Sequence, residues 1–333
     1  MKILFTGAAG FIGSNILETI YSSNEVVVVD NFSWGFERNI AHVLPYIQLH
    51  KFDILDREKL TEVMKGVDLV IHCAASLEVT LGQDFPEKDL TINTLGTISV
   101  LESMKKNGVS KLINFSSACA YGQGTIGMEP NKEESALLNS PQWSYGSSKL
   151  SAEIYCNQYA KTYGMNIVHI RPGIVSGPRE WYGRVLTIFL KNAHAGKDLI
   201  VFGDGVQERD FTHVYEVVDI VNRSMSYVNN TDKYNTVFNA GTGKVTSVRE
   251  LAEIIANRFN VNVKFENVKE GAISDLVPGR IRLPFEMQSM RLDTTFTNAT
   301  LNRKTMYSLE NIIEDEIAWY SDNMDMWDKK FKV

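Results

Sequence analysis

The sequence predicts an α/β protein: a doubly wound parallel sheet joined to a smaller, interleaved C-terminal α/β domain. Three observations carry this. Strand-like and helix-like segments alternate through the first half of the 333 residues. The strand-like runs are apolar at nearly every position, as strands covered on both faces are. The first of them enters a glycine-rich turn that opens a helix.

Lys2–Phe5 reads as a short buried strand, and Gly13 to Ile20 as a helix with Ile16, Leu17 and Ile20 on one face. Val26–Val29 is β-branched throughout, which suits a central strand. Leu69–Ile71 and Lys111–Phe115 are further strands, and Leu90–Lys106 is helical, with Ile92, Leu95, Ile98 or Ser99, Leu101 and Met104 at helical intervals. Asn166–Ile170 is a strand closed by Arg171-Pro172. Repeated β-α-β units of this kind imply parallel strands with helices on both faces. Beyond about residue 175 the pattern loosens, punctuated by Pro178, Gly203-Asp204-Gly205 and Pro278-Gly279. Residues 1–175 are therefore expected to form the sheet domain, with 211–240 returning to it through Phe211–Val228 and Tyr234–Ala240. Residues 176–210 and 241–333 form the second domain.

Composition excludes several classes. Forty acids against 34 bases leave a net charge of −6, which argues against a broad nucleic-acid surface. No stretch approaches ~18 uninterrupted apolar residues, so no membrane span is expected. Met1-Lys2-Ile3-Leu4-Phe5 resembles the start of a signal peptide but breaks at Thr6-Gly7. Cys73, Cys119 and Cys156 are odd in number and lack metal spacing, which points to a reducing, cytoplasmic setting without disulfides. His42, His50, His169 and His194 show no metal-ligand spacing either, so no metal is expected.

Gly7-Ala8-Ala9-Gly10-Phe11-Ile12-Gly13 lies between a strand and a helix. Gly7 suits the tight turn, Gly10 the close approach of a pyrophosphate, and Gly13 the packing of helix on strand, with the free amides of the helix start facing the phosphates. The following strand ends in Asp30-Asn31. An acid there accepts from both ribose hydroxyls and repels a 2′-phosphate, which selects NAD over NADP. Asp53-Ile54, after a further strand, brackets the adenine.

Tyr145-Gly146-Ser147-Ser148-Lys149 opens a helix running through Ala152, Ile154, Tyr155 and Tyr159. Positions i and i+4 share a face. The Lys149 ammonium, with the positive nicotinamide ring, is expected to favour the Tyr145 phenolate and make it a base near neutral pH. Ser116 and Ser117 follow a strand end upstream. A hydroxyl at Ser117 is placed to hydrogen-bond the reacting alcohol, although either serine also suits a plain strand terminus.

From Lys2 to about Asp293 the chain resembles the extended short-chain dehydrogenase/reductases, and within them the NAD-dependent nucleotide-sugar epimerase/dehydratase family. The glycine loop, His72-Cys73-Ala74-Ala75, Asn93-Thr94-Leu95-Gly96-Thr97, Ser116-Ser117, Tyr145 with Lys149, Arg171–Pro178, Gly203–Val214 and Asn239–Gly243 match its motifs in order. The resemblance implies a Rossmann domain and a catalytic triad of Ser117, Tyr145 and Lys149. It implies NAD contacts at Cys73, Ala74, Ala75, Asn93, Ser116, Tyr145 and Lys149, in addition to the glycine loop. It also implies substrate contacts at Ser117, Arg209 and Arg282, with Arg209 on the nucleotide diphosphate. A homodimer through helices around Leu90–Lys106 and Ser147–Tyr163 is expected as well.

Departures from the family pattern narrow the chemistry. Its 4,6-dehydratases carry an acidic pair directly after the catalytic hydroxyl residue, and its decarboxylases keep a Glu at the second position; Ala118 and Cys119 stand there instead. Neither protonates a leaving hydroxyl, so dehydration is disfavoured. Ile174 replaces a frequent Asn, and Val277 a frequent Arg, with Arg280 and Arg282 nearby. His72 and His213 are read as structural. Trp143 lines the substrate mouth or packs, and Glu180–Arg184 forms a sugar or base pocket or a solvent-exposed loop. The expected activity is a nucleotide-sugar 4-epimerase, most readily on a UDP-sugar. The alternatives are a 4-reductase or C4 oxidase with the same triad, and a non-catalytic NAD sensor.

Overall fold

The computed structural model describes all residues except 78–84, 123, 125, 138–140, 142, 182, 232–233, 278–280, 283–286 and 327–333. Tyr182, Pro278, Gly279 and Arg280 thus lie outside the described residues. The central sheet has seven strands in the spatial order Asn235–Ala240, Asn166–Pro172, Lys111–Phe115, Leu69–His72, Lys2–Thr6, Glu25–Val29 and Gln48–His50. Every neighbouring pair is parallel.

The continuous apolar runs follow from alternation between two cores. Val26 and Val28, with Ile3, Phe5, Leu69 and Ile71, face one core. It is covered by helices Phe11–Ile20 and Val214–Asn229, through residues such as Ile16, Leu17, Val217 and Ile220. Val27 and Val29, with Leu4 and Val70, face the other, under Leu60, Leu101, Met104, Cys156 and Ala160. Those residues belong to helices Arg57–Val63, Gly96–Asn107 and Ser144–Tyr163. The inner strands bury both faces, so neither parity faces water.

The structure differs from expectation in three local ways. The first helix starts at Phe11, because Gly10 already holds extended cap geometry. The strand ending in Arg171-Pro172 runs through both residues, paired with Asn239 and Ala240; a proline is tolerated at a strand end. The helix read over Leu90–Lys106 is a short helix Pro86–Asp89, a π-helical turn Leu90–Leu95 and then helix Gly96–Asn107.

A separate core gathers Leu186, Phe189, Leu199, Val201, Leu251, Ile255, Ile312 and Ile313. They come from helices Val185–His194, Val248–Phe259 and Leu309–Asp322 and from the parallel pair Leu199–Phe202 and Val263–Glu266. Serines start two of these helices: Ser247 accepts from the Glu250 amide at 3.1 Å, and Ser308 forms a capping box with Asn311. Glu208–Arg209 lies between Thr246–Ser247 and Ser289–Met290 in a small three-stranded sheet. Strand order reverses at Lys2–Thr6, whose neighbours are the second and fourth strands. In such sheets a crevice opens at that reversal, beyond the carboxyl ends of the strands. Among the described residues no helix is long and apolar enough to cross a membrane.

Candidate active site

A cavity of about 480 Å³ occupies that crevice. One half is built by the glycine loop and the two strands beside it. Gly7 has φ +74°, a left-handed turn that brings the chain under Ala74. Helix Phe11–Ile20 has no side-chain cap, so its first amides point outward without a protein acceptor. A Cβ on Gly10 would meet no protein atom nearer than the Gly7 carbonyl at 3.4 Å and would instead stand in the cavity. That empty cradle at a helix N-terminus fits a diphosphate. Asp30 lines the same space, accepting from the Ala9 amide at 2.9 Å and the Phe32 amide at 2.8 Å. Each oxygen keeps a second lone pair for a ribose hydroxyl, while burial pushes the carboxyl pKa up. Asn31 donates to Asp53 at 2.8 Å, and both line the cavity with Ile54. Phe11, Ile12, Cys73, Ala74 and Ala75 line it too; Gly13 lies behind, against Gly7.

Ser117 and Tyr145 meet the cavity at its centre. Ser117 lies two residues past strand Lys111–Phe115 and caps the turn Ala118–Tyr121, accepting from the Cys119 amide at 3.1 Å. Tyr145 sits in the first turn of helix Ser144–Tyr163, whose start is tied by the Ser144 hydroxyl donating to Asp89 at 2.8 Å. A Cβ on Gly146 would lie 2.5 Å from the Cys119 carbonyl. Only glycine lets this helix press against the Cys119 turn, which carries Ser117 at its start. Lys149, buried one turn on, donates to the Phe115 carbonyl at 2.8 Å, with its ammonium 6.0 Å from the Tyr145 ring centre. It stands behind the lining rather than in it.

The electrostatics differ from the sequence expectation. Burial pushes the Tyr145 phenol above its ordinary value, opposed by the Ser117 hydroxyl and the Arg184 charge. Burial lowers Lys149 to about 8. Desolvation of both groups therefore outweighs the assistance expected between them. Asn93 and Ser116 support the site from outside the lining. The Asn93 side chain accepts from the Ser76 amide at 2.8 Å and donates to Ser148 at 3.0 Å, tying the segment after Ala75 to the Tyr145 helix. The Ser116 amide donates to Ile170 at 2.8 Å. His72 lies between Thr6 and Thr97, at 2.7 and 3.1 Å, and burial lowers it to about 3, so it is neutral.

The other half of the cavity is assembled from distant segments. Arg209 lines it from the small sheet, donating to the Glu208 carbonyl at 2.9 Å. The next residue, Asp210, is fully buried and gathers Thr242 and Gly243 through their amides, and Thr212 through its hydroxyl. This holds Gly203–Val214 and Asn239–Gly243 together. Arg282 is not brought to the cavity: its guanidinium donates to the Val268 carbonyl at 2.8 Å and lies against Gly203. Val277 also lies away from the lining, whereas Ile174, Cys119 and Trp143 form part of it. Glu180, Trp181 and Arg184 line the cavity, with Glu180 and Trp181 buried and Gly183 exposed. Arg184 pairs with Glu180 at 3.2 Å.

Sequence reading missed Trp34, Met287 and Met290, which line the cavity, and Glu316, which accepts from the Gly177 amide at 2.7 Å. Glu316 had a signal: with Ile312 and Tyr320 it falls on the apolar face of its helix. Trp34 had a signal as well: with Phe32 and Phe36 it forms an alternating aromatic run after Asp30. No cluster of three metal-ligating side chains occurs among the described residues.

The model of the NAD-dependent epimerase/dehydratase family matches residues 3–241. A putative UDP-glucose 4-epimerase of Methanocaldococcus jannaschii is 34% identical over 281 residues, 81% of this chain and 87% of that protein. A UDP-N-acetyl-alpha-D-glucosaminuronate decarboxylase of Bacillus cytotoxicus is 31% identical, over 80% of this chain and 84% of that one. Among solved structures, the UDP-glucose 4-epimerase of Thermotoga maritima with UDP-glucose superimposes with a TM-score of 0.85 at 28% identity, covering 97% of this chain and 100% of that one.

Proposed function

This chain belongs to the NAD-dependent epimerase/dehydratase family, and from that premise we propose that it is a nucleotide-sugar 4-epimerase acting through a transient 4-keto sugar. The observation that carries the reading is the convergence of Ser117 and Tyr145 on one cavity wall, with Lys149 behind and no carboxylate in the two positions after Ser117. Cys119 fills the second of those positions, and burial raises its thiol pKa, so it is a poor proton donor to a leaving group. That favours epimerisation over dehydration or decarboxylation within the family.

Bound NAD supplies the acceptor and the returning donor for the hydrogen at C4. Its adenosine ribose is held by Asp30 and its diphosphate by the amides after Gly10. Tyr145 takes the C4 hydroxyl proton on its phenolic oxygen and gives it back after the sugar has turned. Ser117 hydrogen-bonds the same oxygen and keeps it within reach. The Lys149 charge, 6.0 Å from the Tyr145 ring centre, together with the positive nicotinamide ring of bound NAD, would offset the burial that opposes the phenolate, and Arg209 holds the diphosphate of the substrate while the sugar face changes. The relatives named for UDP-sugars support UDP as the nucleotide. We read residues 1–175 and 211–240 as the cofactor domain, and 176–210 with 241–333 as the substrate domain. Exposed Leu90, Leu95, Ile154, Tyr155 and Tyr163 on the two helices named above support a homodimer across that face.

The test is incubation of the purified chain with a panel of UDP-sugars and no added cofactor, followed by NMR of the products. C4-inverted sugar without net change in nicotinamide absorbance is the expected outcome. Net oxidation or reduction, or release of carbon dioxide or water from the sugar, overturns the reading.

A further inference from the structure

Two loops meet at the rim of the cavity, one from each half. The loop after Asp30 carries Trp34, and the loop after Gly177 carries Trp181; both side chains line the cavity. Their rings stack with centres 6.1 Å apart and planes 24° apart, and Phe36 meets Trp181 edge-on at 5.2 Å. Trp181 is buried, in the loop between strand Ile174–Ser176 and helix Val185–His194.

One loop is anchored to the glycine turn before the first helix, and the other to the body of that helix. The Phe36 amide donates to the Ala9 carbonyl at 3.1 Å, and the Asn39 side chain reaches the same carbonyl at 3.0 Å. On the other side, Asn15 donates to the Pro178 carbonyl at 3.0 Å and Arg179 pairs with Glu18 at 3.0 Å. Each loop also holds a strained residue. Among the described residues four non-glycines have positive φ, and two of them, Asn260 and Asn302, sit at helix ends where asparagine tolerates it. The other two are Phe32, at +58°, and Arg179, at +76°. Each lies two positions before its tryptophan, and the Phe32 amide is held by Asp30 itself. Strain of this kind persists only where surrounding contacts over-determine it, and it concentrates at ligand clamps.

We propose that Trp34 and Trp181 form an aromatic clasp that closes over the diphosphate of bound NAD and sets how slowly the dinucleotide leaves. The stack joins the cofactor half to the substrate half, so the dinucleotide departs only when the two rings part. Because Asp30 holds both the ribose and the turn that presents Trp34, occupancy of the ribose site and closure of the clasp support one another. Slow release suits a cofactor reused from one turnover to the next.

The test uses the full chain loaded with NADH and chased with excess NAD, with release followed by nicotinamide fluorescence, in the parent and in Trp34→Ala, Trp181→Ala, Trp181→Phe and the double alanine variant. Each single alanine variant is expected to release about tenfold faster. The double variant is expected to be little faster than either, since both remove one shared contact. Trp181→Phe restores most of the retention. Parental release rates in both alanine variants overturn the clasp, as does a double variant equal to the product of the singles. So does a Trp181→Ala chain that keeps NAD as the parent does but binds UDP more weakly, which moves the stack to the substrate. Trp181 is buried, so its alanine variant risks misfolding; Trp34→Ala breaks the same stack from the half-buried side and decides the matter alone. Release is read without turnover, so the clasp and the epimerase reading fail separately.

Discussion

The two halves of the cavity are built by different physics. The cofactor half uses backbone: the amides after Gly10, the turn at Gly7 and one acid, Asp30, satisfied by two amides. The substrate half uses side chains set against one another: Glu180 with Arg184, Glu180 beside Glu316, and Arg209 beside the Asp210 clamp. In it, both oxygens of Glu180 and one of Glu316 are buried without a hydrogen bond. The first half is a steric mould, and the second is a balance of charge. Substitutions should therefore act through shape on one side and through protonation on the other. Tyr145 stands on the seam, and its loss should leave both halves intact. Tyr145→Phe should reduce turnover by about 10²–10⁴-fold, the ordinary worth of a positioned acid or base, while NAD stays bound. Turnover is measured on the substrate that the panel identifies, and bound NAD on the denatured protein. Activity near the parental level would remove Tyr145 from the chemistry.

The contrast sharpens with a matched pair of glycines. A Cβ on Gly13 would fall 2.2 Å from the Gly7 carbonyl and 2.9 Å from Ala8 Cα, both backbone atoms that cannot move alone. On the substrate side, a Cβ on Gly183 would meet only the Ile188 side chain, at 3.7 Å. Gly13→Ala should cost about 1–3 kcal/mol or more by overpacking and lose NAD. Gly183→Ala should keep the parental melting temperature and bound cofactor. Equal behaviour of the two in a thermal melt would break the distinction between mould and balance.

Protonation at the seam gives the next effect. Lys149 is lowered to about 8, with burial the leading cause. Its charge is therefore present below that pH and lost above it. If the ammonium assists the Tyr145 phenolate, kcat/KM should fall on the alkaline side with an apparent pKa near 8, by up to about tenfold per pH unit. Lys149→Arg, which cannot lose its proton in this range, should remove that limb even if overall activity drops. An alkaline limb unchanged in the arginine variant would assign it to another group.

The same contrast decides what the sequence could reveal. The sheet was legible because each strand serves two cores, leaving runs such as Val26–Val29 with no polar parity. The cofactor half was legible because its parts are short and local: a glycine turn, a helix start and an acid at a strand end. The substrate half is brought together from positions 174–184, 208–210 and 287–290, and no local period announces their meeting. Arg282, named from a motif, packs on Gly203 and Val268 outside the cavity lining. The one-turn spacing of Tyr145 and Lys149 was readable, but their burial was not, and burial sets the direction of both shifts.

The smallest effect tests the charge balance itself. Glu180 and Glu316 are both fully buried, and burial raises both carboxyls, Glu316 further because Glu180 faces it. The groups around them are Arg184, the Ser176 hydroxyl and the Gly177 amide. Folded, the pair keeps protons that the unfolded chain releases above the ordinary glutamate range. The native state thus binds more protons than the unfolded state, and stability falls as pH rises through that window. Glu316→Gln keeps an acceptor for the Gly177 amide and removes one of the two raised carboxyls. The parental melting temperature should decline as pH rises above the ordinary glutamate range, and the variant should decline less, by ~2–4 °C for each kcal/mol recovered. A variant whose melting temperature follows the parental slope would mean that the two carboxyls do not compete for a proton. The substrate half would then be as much a fixed mould as the cofactor half.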